Sequence, residues 1–305
     1  MKTLRFGGAW LALLAWLCVL APAAADELRP FVLASHGTAT LDTKLQETRE
    51  RLETAGFRVL GEYRPRGNAV VLAVTSDDLL AAATQSERAA YGAVQRVSIA
   101  TGADGRIQVA YANPRYIQQA YRMKADLGMV ANKLAQAIGS ETTFGAPGMT
   151  ADKLKKYRYM FGMERFDDPY KLAEYPSHQA AVEAVEKGLA EGLGGITKVY
   201  RLDIPGRDQV VFGVAMKAGE NGDKAMDDAF QMDVVDFKDL KQVSYLPYEI
   251  LVDGKRVEAL HMRFRMAVHF PDLKMMGEHS FMKLMSSPDA IGRSLAKTTG
   301  GNYDK

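Results

Sequence analysis

The stretch ALHMRFRMAVHF, residues 259–270, decides how the C-terminal half is read. As an extended strand it separates by period two. Leu260, Met262, Phe264, Met266, Val268 and Phe270 take one side, and His261, Arg263, Arg265, Ala267 and His269 take the other. The first side suits a core. The second is cationic, with guanidinium groups flanked by imidazoles. Arginine forks bind carboxylate or phosphate through paired hydrogen bonds, and alternate strand positions aim them one way. Histidine adds a group that changes charge near neutrality. A strand here makes His261, Arg263, Arg265 and His269 a candidate site for a small anionic ligand or an acidic protein partner. The plainer alternative is a solvated sheet face whose charges pair with Glu249, Glu258 or neighbouring acids, for little energy.

Working outward, residues 243–252 and 255–270 read as a hairpin across Asp253-Gly254. A strict two-residue connection would oppose Glu249 and Glu258, which is unfavourable unless a bulge shifts the register. The terminal helix begins with Phe281, Leu284 and Met285, restarts at Ser287-Pro288 and continues through Ile291 and Leu295. Upstream, Ser177 caps a helix with Val182, Val185, Leu189 and Leu193 on one face, and strands follow at 198–204 and 209–216. Tyr157, Tyr159, Phe161 and Met163 alternate as a further strand.

The first half has the same rhythm. A strand at 31–34 precedes a helix through Leu41, Leu45, Thr48 and Leu52 that ends at Gly56. Strands at 57–63 and 69–75, a helix over 77–92 and a hairpin at 95–112 follow. Asn113-Pro114 then opens a helix that runs to about Ile138. Gly56…Pro65…Val70-Val71-Leu72 matches Gly195…Pro205…Val210-Val211-Phe212 at nearly equal spacing. The expected class is α+β: two similar strand–helix–four-strand–helix units, with mainly antiparallel sheets and helices on one face. The units span 26–139 and 157–305, with 140–156 as a linker.

TKLQETRERLETAGFRVLGEYRP at 43–65, with ANPRYIQQAY at 112–121, resembles the bacterial family called domain of unknown function 302. The resemblance implies a strand–helix–four-strand–helix fold and no particular activity. The second half carries Gly195-Ile196 in place of Gly-Phe, and Phe270-Pro271 in place of Asn-Pro.

Lys2 and Arg5, the apolar run from Trp10 to Leu20 and the small residues at 21–25 form a predicted signal peptide, residues 1–25. The remainder is expected to be a soluble periplasmic or secreted protein that does not span the membrane. Cys18 lies in the apolar run, so the chain after Ala25 has no thiol for disulfides, nucleophiles or metal sites. Losing Lys2 and Arg5 balances the basic residues against the 37 acidic ones, which argues against nucleic-acid binding.

Met275, Met276, His279, Met282 and Met285 cluster in sequence. Thioether and imidazole are soft ligands suited to Cu(I), so Met276, His279, Met282 and Met285 form a second candidate site, with copper as its metal. The alternative is that Met282 and Met285 join Phe281 and Leu284 in the core as gap-fillers. Tyr157, Tyr159, Phe161, Phe166 and Tyr170, interleaved with Lys155, Lys156, Arg158 and Arg165, would contact an aromatic ligand or a partner, or would simply form a half-buried strand. The Asp167-Asp168 and Asp227-Asp228 pairs read as caps or turns, and His36 and His178 lie beside turns. There is no G-x-S-x-G, H-E-x-x-H, P-loop or G-x-G-x-x-G. The leading expectation is a non-catalytic binding or accessory protein. A Cu(I)-handling protein, and an enzyme using His261 or His269 as acid and base, are the alternatives.

Overall fold

The computed structural model describes residues 27–220 and 222–303. The predicted signal peptide and Cys18 lie outside the described residues. The fold is α+β. The first half comprises β1 (Phe31–Gly37), α1 (Leu41–Thr54), β2 (Arg58–Arg66), β3 (Ala69–Thr75), α2 (Asp77–Ala83), β4 (Gln95–Thr101), β5 (Ile107–Ala112), α3 (Pro114–Ala120), α4 (Gly128–Ile138), β6 (Thr142–Phe144) and α5 (Ala151–Lys155). The second comprises β7 (Tyr170–Glu174), α6 (His178–Ala190), β8 (Ile196–Asp203), β9 (Gln209–Met216), α7 (Asp228–Val235), β10 (Tyr248–Asp253), β11 (Arg256–Ala259), α8 (Met262–His269) and α9 (Ser287–Thr299). Among the described residues no helix is long and apolar enough to cross a membrane.

Local chemistry starts the helices where the sequence implies. The extended residues Thr40, Ser76 and Ser177 each accept an N–H of the first turn, from Thr43, Leu79 and Ala180. The sheets run β2-β3-β4-β5-β1-β6 and β8-β9-β10-β11-β7, all pairs antiparallel. Apart from β6, which lies within the segment read as a linker, the two halves share one strand order. Their irregularities also correspond. The edge strands bulge at Val59/Gly61 and Lys198/Tyr200, and the first strands at Leu33/Ser35 and around Leu172.

The strands next to the β2 and β8 edges, β3 and β9, are buried on both faces. Val70, Leu72 and Val74 pack with Leu45 and Leu52 of α1, while Val210, Phe212 and Val214 pack with Val182, Val185 and Leu189 of α6. The opposite faces are covered by exchange. The 3-10 turn Ala89–Gly92, inserted after β3, packs on β9 and β10, whereas α7 and the turn Val243–Tyr245, inserted after β9, pack on β2 through β5. The equivalent edge strands β2 and β8 also touch. There a Cβ on Gly61 would fall 2.5 Å from the Val199 carbonyl oxygen, so only glycine fits.

The structure corrects the opening strand. β11 stops at Ala259, and residues 262–269 are helical. Leu260, Phe264 and Val268 join one core, and Met262, Met266 and Phe270 join the other. Each set is a period-four stripe, and the two lie on opposite helix faces. Because they are offset by two residues, together they imitate strand alternation. Two residues beyond the matched pair Tyr111 and Ala259, the helix caps also match: Asn113 accepts from the Arg115 N–H, and His261 Nδ1 from the Arg263 N–H at 3.3 Å. The counterpart of Asn113-Pro114 is therefore His261-Met262, not Phe270-Pro271.

Other expectations shift as well. Gly254 and Lys255 form the hairpin connection, so Glu258 faces Leu251, and Glu249 faces Gly213. Residues 157–163 are not a strand; the second sheet begins with β7. The helix expected over 77–92 ends at Ala83, and the one from Asn113 divides into α3 and α4.

Candidate functional site

The helix breaks up the expected cationic face. Arg265 and His269, four residues apart, are sealed between the halves at 2% and 0% exposure. Arg265 Nη2 donates to the carbonyls of Tyr245 (2.8 Å) and Pro247 (3.1 Å), and the guanidinium lies 3.9 Å from the Tyr248 ring centre. His269 Nδ1 lies 2.9 Å from the Arg265 carbonyl, to which it donates as the Nδ1–H tautomer. Burial, reinforced by the positive charges of Arg96 and Arg265, holds this imidazole well below its ordinary pKa. Neither residue is placed to meet a ligand from solvent.

His261 and Arg263 do line a surface pocket of about 760 Å³, but its walls also carry Glu164, Asp167, Asp168 and Asp289. Arg263 Nη1 donates to Glu164 at 2.9 Å. The His261 ring packs 4.2 Å from that of Tyr170, its Nδ1 serves the helix cap, and burial pushes its pKa down to about 4. The surroundings are thus acidic, the reverse of the cationic face expected from the strand.

The acids offered as partners for those arginines pair instead with the first half. Glu258 binds Arg88 Nε at 2.7 Å, and Glu249 binds Arg96 Nη1 at 3.2 Å. Arg96 and Glu249 are 1% and 2% exposed. They occupy the same place in the two units, opposite Ala73 and Gly213 respectively. The Tyr200 ring lies where a Cβ on Gly213 would stand, and its hydroxyl donates to Glu249 at 2.7 Å. Close by, the Tyr63 hydroxyl donates to Asp228 at 2.7 Å, as does the Met216 N–H at 3.0 Å. Burial pushes the Asp228 carboxyl up to about 7. These residues hold the halves together. Short-range patterns could not reveal them, because the partners are far apart in sequence. Asp227 does cap α7, as its position suggests, but the adjoining Asp228 points inward.

The methionine segment is the other candidate. A pocket of about 420 Å³ is lined by Phe237, Phe270, Leu273, Met276 and His279, with Lys238, Asp272, Lys274 and Glu278 among its polar edges. Phe281 and Leu284 enter the core, but Met276, Met282 and Met285 are 76%, 50% and 64% exposed. The idea that Met282 and Met285 fill core gaps is therefore corrected. The segment folds back on itself: Phe281 N–H donates to the Lys274 carbonyl, and Met282 N–H to that of Met275. The His279 ring stacks on Phe237 at 4.1 Å, and its Nδ1 lies 3.1 Å from the Val234 carbonyl. With the proton on Nδ1 for that bond, Nε2 keeps its lone pair. Among the described residues no three His, Cys, Asp or Glu side chains are grouped so as to hold a metal ion. A metal site would need thioether donors. Set against known family models, curated proteins and solved structures, the chain matches none.

Proposed function

We propose that the chain is a non-catalytic binding protein of an exported compartment, and that it handles Cu(I) at Met276, His279, Met282 and Met285. The supporting observation is the exposure of three thioethers on one folded-back segment, one of which, Met276, lines a pocket with an imidazole already oriented through its other nitrogen. These three large apolar side chains are left in water within one short segment while their neighbours Phe281 and Leu284 are buried. Thioether sulfur and neutral imidazole suit a soft monovalent ion, and an outer carbonyl that fixes the imidazole tautomer is a recurring partner of metal-bound histidine. Methionine's three rotatable bonds let its sulfur move toward an ion without disturbing the backbone. The resemblance to domain of unknown function 302 supports only the fold of each unit.

The test is an anaerobic competition titration against a chromophoric Cu(I) chelator. The expected result is one equivalent taken up by the wild type and at least tenfold weaker uptake by Met276→Leu/His279→Ala. Wild-type protein that removes no copper from the chelator would end the proposal. So would equal uptake by the variant.

A further inference from the structure

The loop between α5 and β7 ends in an apolar tip that the copper proposal does not use. Phe161 is 92% exposed and Met160 47%, and Phe161 is the most exposed large apolar side chain among the described residues. The tip is braced from behind. The Tyr159 hydroxyl donates to the Leu273 carbonyl at 2.8 Å, and its ring lies 4.3 Å from that of Phe281. Tyr157 packs against both cores. Met163 N–H closes a turn onto the Met160 carbonyl at 3.1 Å. The outward side chains are thus carried by a backbone that is anchored on its inner side.

Cations lead up to this tip and lie on the segment behind it. Lys153, Lys155 and Lys156 are exposed just before it, and Lys274 and Lys283 are exposed on the segment that Tyr159 packs against. The Arg158 guanidinium lies 5.1 Å from the Phe161 ring centre. Acids also occur nearby: Glu278 is exposed between Lys274 and Lys283, Asp168 is exposed further along the loop, and Asp167 is held by Arg122. Asp152 is exposed at the start of α5, Glu164 is held by Arg263, and Asp272 by Lys238. A protruding aromatic with cations set behind it matches the depth profile of an anionic bilayer, in which acyl chains lie beneath a layer of negative headgroups. A protein interface also sets an apolar centre in a polar rim, but a specific one buries about 800 Å² on each side, more than a two-residue apolar tip presents.

We infer that the Met160–Phe161 tip, with its collar of Lys153, Lys155, Lys156 and Arg158, docks the protein on an anionic lipid surface. Flotation with phosphatidylglycerol-containing vesicles tests this. Expected are wild-type partitioning at 50 mM salt, at least tenfold weaker partitioning to pure phosphatidylcholine, and a similar loss for Phe161→Ser and for Lys155→Glu/Lys156→Glu. Phe161 is solvent-exposed, so its replacement should leave folding intact, and a circular dichroism melt checks that. Failure of the wild type to float with anionic vesicles overturns the inference, as does undiminished flotation of Phe161→Ser. Binding to a poly-glutamate peptide without vesicle binding also overturns it, and assigns the tip to an acidic protein. Copper titration is independent of each of these outcomes.

Discussion

Replacing Glu249 by glutamine should cost far more than a surface change of the same size. The variant leaves the Arg96 guanidinium at 1% exposure without the carboxylate 3.2 Å from it, and Arg96 Nε already has no partner. Burial opposes the arginine's charge, and the Glu249 carboxylate, together with Tyr121 and Tyr200, outweighs that opposition. Removing one member of such a pair costs about 3–5 kcal/mol, whereas replacing both with apolar groups of similar volume is often close to neutral. At about 2–4 °C per kcal/mol, Glu249→Gln should lower the melting temperature by roughly 6–20 °C. Arg96→Met/Glu249→Leu removes both charges and leaves the Tyr200 hydroxyl without its acceptor, a residual cost of about 1–3 kcal/mol. Thermal and urea unfolding followed by circular dichroism would measure all three proteins. A Glu249→Gln protein within about 1 kcal/mol of wild type would refute this assignment, as would a double variant less stable than Glu249→Gln alone.

The Asp228 carboxyl, raised from its ordinary 3.8 to about 7, binds its proton more tightly in the native state than in the unfolded chain. Its contribution is complete below pH 4 and is lost as pH rises through about 7, so the stability of wild type relative to Asp228→Asn should fall across that window. Urea midpoints for both proteins, measured from pH 4 to 8, would show a constant difference if this is wrong. His261→Ala should lose the α8 cap at a cost of about 1–2 kcal/mol, and His261→Asn, which imitates Asn113, should recover about half of that in a denaturant titration. Phe281→Ala should cost about 3–5 kcal/mol by the same method, while Met282→Ala, half exposed, stays within about 0.5 kcal/mol.

Features set by neighbouring residues were legible in the sequence. Ser177 announces its helix through a side-chain oxygen that reaches three residues ahead. The matched glycine, proline and valine positions of the two halves reappear as matched strands. The helix at 262–269 was not legible, because a helix buried on two opposite faces carries two stripes whose sum alternates like a strand. Nor could sequence decide whether Met282 or Phe281 turns inward, since both fit an apolar run. The Arg96–Glu249 pair joins residues 153 positions apart, beyond any local pattern.

The corresponding locations of Arg96 and Glu249 have a consequence for assembly. Two N-terminal fragments joined in the same manner would press guanidinium against guanidinium, and two C-terminal fragments carboxylate against carboxylate. Either like pair would be shut away from solvent and dielectric relief. Only an unlike couple neutralises itself. A single charge at one repeated position thereby favours the pairing of unlike halves over the pairing of like ones.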